Sequence, residues 1–106
     1  MIDNNKISEL VNKIAEGYNP EKIILFGSYA KGTANEDSDV DLLVIKDSNI
    51  PRPERTFQVR KMLYGMMIPI DILVYTPIEI KESQKSNLHF LHEVLSTGKI
   101  VYERNA

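Results

Sequence analysis

Four short apolar runs, rich in β-branched residues, constrain the fold of this chain more than any other feature. Each is three to seven residues long, and Gly, Pro, Asn or Asp lies at or near its ends. Runs of this length and composition predict strands rather than helices. The predicted strands are Lys22–Phe26, Val40–Ile45, Pro69–Tyr75 and Ile100–Tyr102.

Three other segments have helical features. Ile7, Leu10, Val11 and Ile14 recur at helical spacing, and Gly17 is placed to end that helix. The second segment is loosely amphipathic and is predicted to end near Gly65. The third begins with a capping box, Thr76-Pro77-Ile78-Glu79. The predicted helices run from Asp3 to Glu16, from Pro53 to Met67, and from Pro77 through Leu88 towards Gly98.

The order α-β-β-α-β-α-β predicts an α/β (α+β) fold, a small mixed β-sheet of about four strands with helices packed on it. We expect residues 1–106 to form a single domain. Thirteen Lys and Arg against fifteen Asp and Glu give a net charge of −2, which argues against an extended nucleic-acid surface. Cysteine is absent, and no apolar run approaches the ~20 residues that span a bilayer. We therefore expect a cytoplasmic protein without a membrane segment.

Two carboxylates stand two residues apart at the start of the second predicted strand. Asp39 and Asp41 would project from the same face, about 6.6 Å apart along the chain. At an effective dielectric constant near 20 their repulsion is roughly 2.5 kcal/mol, and a divalent cation between them would reverse it. Oxygen ligands without nearby Cys or His favour Mg²⁺ or Mn²⁺ over zinc.

A third carboxylate, Asp71, interrupts the apolar third strand. A lone carboxylate there is costly to bury unless it is paired or meets a metal. If this strand lies beside the strand of Asp41, three carboxylates converge, which suits a site for two metal ions. The alternative is that Asp39 is only a cap, Asp41 a solvated edge residue and Asp71 a buried residue neutralised by a neighbour.

Gly27 and Ser28 follow the first strand and supply the complementary half of a site. A Gly at a strand end allows a ligand to approach the backbone, and the Ser28 hydroxyl with nearby N–H groups can bind phosphate oxygens. Lys31 adds a positive charge. Each of these signals is weak alone. The pattern is specific only when Gly-Ser is followed, eleven residues after the Ser, by Asp-x-Asp and then by an Asp on a later strand.

This combination resembles the signature of the DNA polymerase beta nucleotidyltransferase superfamily. Since the chain is short, it is most similar to the minimal nucleotidyltransferases, and the resemblance covers nearly all of it. It implies the nucleotidyltransferase fold and a triphosphate on Gly27 and Ser28. It also implies two Mg²⁺ ions, or Mn²⁺, on the paired Asp39 and Asp41, with Asp71 helping to activate the acceptor hydroxyl. Lys31 stands where Arg is common, which keeps the charge but loses a bidentate phosphate contact.

The resemblance also implies a substrate and a partner. Members of this family are commonly encoded beside a HEPN-domain protein, in pairs that resemble toxin–antitoxin systems in which the transferase adenylylates the toxin. The expected activity is transfer of AMP from ATP, or of another nucleoside monophosphate, to a hydroxyl of such a partner. Alternatives are an antitoxin that binds nucleotide without turnover, and transfer to a small molecule or RNA. A homo-oligomer and a hetero-oligomer both remain open.

Two further groups of residues carry weaker signals. His89 and His92, with Glu93, have the spacing of metal ligands, but surface histidines without that role are far commoner. A basic cluster surrounds the second predicted helix. It is either a solvated face or a contact for triphosphate or an acidic partner. Its members are Arg52, Arg55, Arg60 and Lys61.

Overall fold

The computed structural model describes residues 1–86 and 89–105, and within them nine elements form a mixed α/β fold. The predicted strands and the predicted fold class are confirmed. The helices are α1 (Asn4–Tyr18), α2 (Ser28–Lys31), α3 (Arg52–Met62), α4 (Pro77–Lys85) and α5 (His89–Thr97). The strands are β1 (Lys22–Phe26), β2 (Val40–Ile45), β3 (Ile70–Tyr75) and β4 (Lys99–Glu103).

The four strands form one sheet in the order β3-β2-β1-β4. β1 runs antiparallel to β2 and to β4, whereas β2 and β3 are parallel. A parallel pair needs a crossover connection, and α3 supplies it. At the outer edge, β4 contains a bulge, because Ile23 and Ile24 pair with Tyr102 and Ile100 and leave Val101 between them.

Helices cover both faces of the sheet. Val40, Leu42 and Val44 of β2 point into the larger core, beneath α1 and α3. Leu43 points to the opposite face, where it packs with α5 in a smaller core. This alternation follows from the two-residue period of a strand. The side chain of Asp41 therefore lies on the α5 side of the sheet.

Two predicted helix ends are wrong. The first helix continues through Gly17 to Tyr18 and ends on Asn19, which adopts the left-handed conformation with φ 51°. Gly17 instead makes room for α3, because a Cβ there would lie 2.9 Å from Sδ of Met62. The second helix begins at Arg52 and ends at Met62, before Gly65 rather than near it.

The last predicted helix is divided into α4 and α5, and Leu88 lies outside the described residues. The predicted capping box at its start is confirmed. Thr76 Oγ1 accepts from the Glu79 N–H at 3.1 Å, and Glu79 Oε1 accepts from the Thr76 N–H at 2.8 Å. Across residues 1–86 and 89–105, the helices are too short or too polar to cross a membrane.

Candidate functional site

Asp41 and Asp71 are direct neighbours on the parallel strands β2 and β3. Paired residues of adjacent strands point to the same face, so both carboxylates project on the α5 side of the sheet. Strand spacing puts their backbones about 4.8 Å apart. The adjacency on which the predicted convergence of Asp41 and Asp71 depends is therefore present.

The carboxylates occupy the first row of a face that is apolar further along. In the register of the sheet, Phe26 and Asp41 pair across β1 and β2, and Ile24 and Leu43 form the next pair in the smaller core. Asp41 is half-buried, whereas Asp71 is exposed to solvent. Because Asp41 and Asp71 lie near the first residues of β2 and β3, their carboxylates stay in contact with water while the apolar residues further along the strands remain packed.

Asp39 immediately precedes β2 and is exposed. Burial raises the pKa of the Asp41 carboxyl, and the negative charges of Asp71 and Asp39 raise it further. Both neighbours thus act electrostatically on Asp41. A raised pKa from like charges indicates a place where added positive charge would be stabilising.

Gly27 lies directly against this acidic group. Its backbone has φ 73° and ψ −153°, a combination essentially restricted to glycine. A Cβ at this position would overlap Oδ2 of Asp41. The turn after β1 therefore has both the conformation and the space that only glycine permits, and Ser28 begins the short helix α2 at the same point.

Lys31 ends α2 and forms an ion pair with Glu93 of α5. The distance from Lys31 Nζ to Glu93 Oε1 is 3.2 Å. The sequence suggests Glu93 only as a metal ligand, together with His89 and His92. No local pattern signals its pairing with a lysine 62 positions earlier. Both histidines lie exposed on α5.

The donor set of Asp39, Asp41 and Asp71 fits a hard divalent cation, because it consists of carboxylate oxygens alone. As the side chains stand, no three Asp, Glu or His residues of the described part of the chain are grouped closely enough to hold one ion. The fit of Mg²⁺ or Mn²⁺ rests on the donor chemistry, the shared face and the raised pKa of Asp41.

The basic cluster does not act as a unit, and Arg55 is neither a solvated residue nor free for a triphosphate. It is 6% exposed, and its guanidinium bonds to both oxygens of Glu79 at 2.7 and 3.1 Å. It also donates to the carbonyl of Val74. Burial of the charge is compensated because Glu79 supplies a carboxylate in bidentate geometry. For Arg55, the solvated-face interpretation is therefore wrong.

The other members of the cluster have separate contacts. Arg60 donates to the carbonyl of Ile70 at 3.3 Å. Arg52 lies over the Tyr75 ring, 4.1 Å from its centroid, and also reaches Glu79. Lys61 lies over the exposed ring of Phe57. These contacts come from long-range packing, which a count of basic residues along the sequence does not reveal.

Residues 5–106 match the family model described as "Polymerase beta, Nucleotidyltransferase". The chain belongs to this family. Two Methanocaldococcus jannaschii proteins, each named a putative protein adenylyltransferase, are similar to it. One is 30% identical over 96% of this chain and its own full length. The other is 37% identical over 96% of this chain and 73% of its own length.

Solved structures with the same fold include a protein from Sulfolobus solfataricus described as a putative nucleotidyltransferase. It has a TM-score of 0.64 and 18% identity, covering 94% of this chain and 79% of the other. A toxin–antitoxin structure with AMP-PNP also has a TM-score of 0.64, with 21% identity, covering 98% of this chain and 76% of the other. At these identities the likeness establishes the fold.

Proposed function

We propose that this nucleotidyltransferase moves AMP from ATP to a hydroxyl of a HEPN-domain partner protein, as the antitoxin of a toxin–antitoxin pair in the cytoplasm. The observation that carries the proposal is the register of Asp41 with Asp71 beside the glycine-only turn at Gly27. The names of the two Methanocaldococcus jannaschii relatives support a protein acceptor. The toxin–antitoxin neighbour with AMP-PNP supports an adenine nucleotide and a toxin partner.

In this proposal Asp39, Asp41 and Asp71 hold two Mg²⁺ ions, with Mn²⁺ as a substitute. The bound ions would supply charge stabilisation for the triphosphate and for the reacting oxygens. Gly27 and Ser28 bind the phosphates through the space left by the absent side chain and through the Ser28 hydroxyl. Lys31 contributes a further positive charge.

The chemistry is an in-line displacement at the α-phosphorus. The acceptor oxygen forms a bond to this phosphorus, the bond to the bridging oxygen of the β-phosphate breaks, and pyrophosphate leaves. Asp71 receives the acceptor proton, a role suited to a solvent-exposed carboxylate on the edge strand β3. Asp41 is less accessible to an incoming acceptor, because it is half-buried between Asp71 and the Gly27 turn.

Transfer of label from [α-³²P]ATP to the HEPN protein encoded nearest to this chain tests the proposal. Asp71→Asn is expected to reduce single-turnover transfer by orders of magnitude, while binding of Mg²⁺ and nucleotide falls much less. Asp39→Asn combined with Asp41→Asn is expected to abolish both.

Asp37→Asn is the matched control, because Asp37 is an exposed loop aspartate two residues before Asp39. It is expected to keep wild-type transfer. Full transfer by Asp71→Asn with a lowered melting temperature would remove Asp71 from the catalytic group. Full transfer by the double variant would overturn the site assignment.

A further inference from the structure

The Lys31–Glu93 ion pair joins two elements that are far apart in sequence. Lys31 is the last residue of α2, and Glu93 lies in α5. Their side chains are 49% and 61% exposed, so solvent reaches both charged groups. An exposed pair of this kind is weak, and a stronger partner for either residue can displace it.

The pair lies at a cleft of about 200 Å³ that begins at the Gly27 turn. The wall of the cleft contains Phe26 and Phe90, whose rings meet edge-to-face with their centroids 5.9 Å apart. Lys31 and Glu93 are the two charged residues of the lining. Lys31 therefore supplies the positive charge of this lining, at the same Gly27 turn that lies against the Asp41 carboxylate.

A triphosphate on Gly27 and Ser28 would compete with Glu93 for the same ammonium group. Ser28 and Lys31 are three positions apart in α2, so they lie on one side of the helix, about 5–6 Å between Cβ atoms. A triphosphate carries several negative charges, whereas Glu93 carries one. The ammonium group is thus expected to turn from the carboxylate to the phosphates when nucleotide binds.

We propose that Glu93 is a positioning residue that holds Lys31 in the nucleotide-free protein and lowers affinity for the triphosphate. Glu93 regains Lys31 when pyrophosphate leaves, and this favours product release. The inference rests on the proposed function, because it requires a triphosphate at Gly27 and Ser28. It assigns Glu93 a role that acts through Lys31 rather than through contact with the reacting atoms.

Calorimetric titration with Mg²⁺ and AMP-PNP tests the proposal on the full chain. Glu93→Gln is expected to tighten binding by about two- to fivefold at 50 mM salt, the range that an exposed ion pair supports. The gain is expected to shrink at 300 mM salt because exposed charges are screened. Glu93→Asp keeps the charge and is expected to return affinity towards that of the wild type.

Glu16→Gln on α1 is the matched control, since it removes one exposed negative charge on the other side of the sheet. Its affinity is expected to equal that of the wild type. Lys31→Met is expected to weaken binding and to eliminate any further effect of Glu93→Gln. This dependence separates action through Lys31 from general repulsion of the nucleotide.

This inference would be overturned if Glu93→Gln bound nucleotide no more tightly than the wild type while Lys31→Met still weakened nucleotide binding. The proposed function would then remain standing. A gain from Glu93→Gln that persists in Lys31→Met would also overturn it. A wild-type protein that binds no nucleotide with Mg²⁺ would overturn the proposed function and this inference together. Thermal unfolding of each variant confirms that the compared proteins are folded.

Discussion

Replacing Gly27 by alanine tests whether the turn after β1 is shaped around the Asp41 carboxylate. The new Cβ faces two penalties, a backbone conformation that only glycine adopts readily and an overlap with Oδ2 of Asp41. Gly32 offers a matched control at the other end of α2. It also has a positive φ, 76°, but a Cβ there has no heavy atom within 4 Å outside its chain neighbours.

The expected difference follows from these two environments. The backbone strain at Gly27 costs about 1–3 kcal/mol, and displacement of the overlapped side chain costs about 1–3 kcal/mol more. Gly32→Ala carries only the left-handed backbone cost of about 1–2 kcal/mol. We therefore expect Gly27→Ala to be less stable than Gly32→Ala by about 2 kcal/mol. In a domain of this size that difference lowers the melting temperature by about 10 °C.

Thermal unfolding by circular dichroism measures the stability difference, and calorimetry measures binding of AMP-PNP with Mg²⁺. Gly32→Ala is expected to keep nucleotide binding, whereas Gly27→Ala is expected to lose it because the Asp41 carboxylate must move. In an Asp41→Ala background the overlap is gone, so the additional cost of Gly27→Ala is expected to fall towards that of Gly32→Ala. Equal melting temperatures for the two single variants, or an unchanged cost in the Asp41→Ala background, would refute the reasoning.

Three further predictions concern charge and capping. The Arg55 guanidinium lowers the pKa of Glu79 from 4.5 to about 2, so this stabilisation is complete above pH 4.5 and lost as the pH falls towards 2. An acid titration of unfolding is expected to show a loss of up to about 3 kcal/mol, absent in Glu79→Gln. The pKa of Asp41 is raised rather than lowered, so its negative charge destabilises the folded protein at neutral pH. Asp39→Asn combined with Asp41→Asn is therefore expected to raise the metal-free melting temperature at pH 7. No rise would argue against repulsion between these carboxylates. Thr76→Ala is expected to cost about 1 kcal/mol in urea unfolding, and no loss would contradict the capping role.

Local patterns predict the strands and the capping box because the relevant contacts lie within a few residues. The two-residue period of a strand predicts Asp39 and Asp41 on one face, and in β2 the same period separates Asp41 from Leu42. The sequence leaves open whether β3 lies next to β2. That adjacency depends on how α3 crosses the sheet, so the convergence on Asp71 remains conditional until the strand order is known.

Long-range packing accounts for what the sequence does not reveal. Arg55 belongs to a segment with the composition of a solvated helix face. Its partner Glu79, however, lies on another helix, 24 positions later. Glycine is typical of a helix terminus, yet the role of Gly17 is set by its contact with Met62 on a neighbouring helix. In both cases the decisive contact joins residues whose sequence separation gives no local signal.

Two arginines contact the backbone of β3, which forms the edge of the sheet opposite β4. The carbonyls of Pro69 and Tyr75 accept from the β2 side, and backbone groups of alternate residues in a strand point to opposite edges. The carbonyls of Ile70 and Val74 therefore face outward, where Arg60 and Arg55 donate to them.

These guanidinium groups occupy acceptors that an incoming strand would require. At the opposite edge, the bulge at Val101 of β4 interrupts the regular register that such a strand would need. The two occupied carbonyls of β3 and the bulge of β4 thus hinder strand addition at each edge. A partner protein that binds this molecule is accordingly expected to contact its helices and loops instead of extending its sheet.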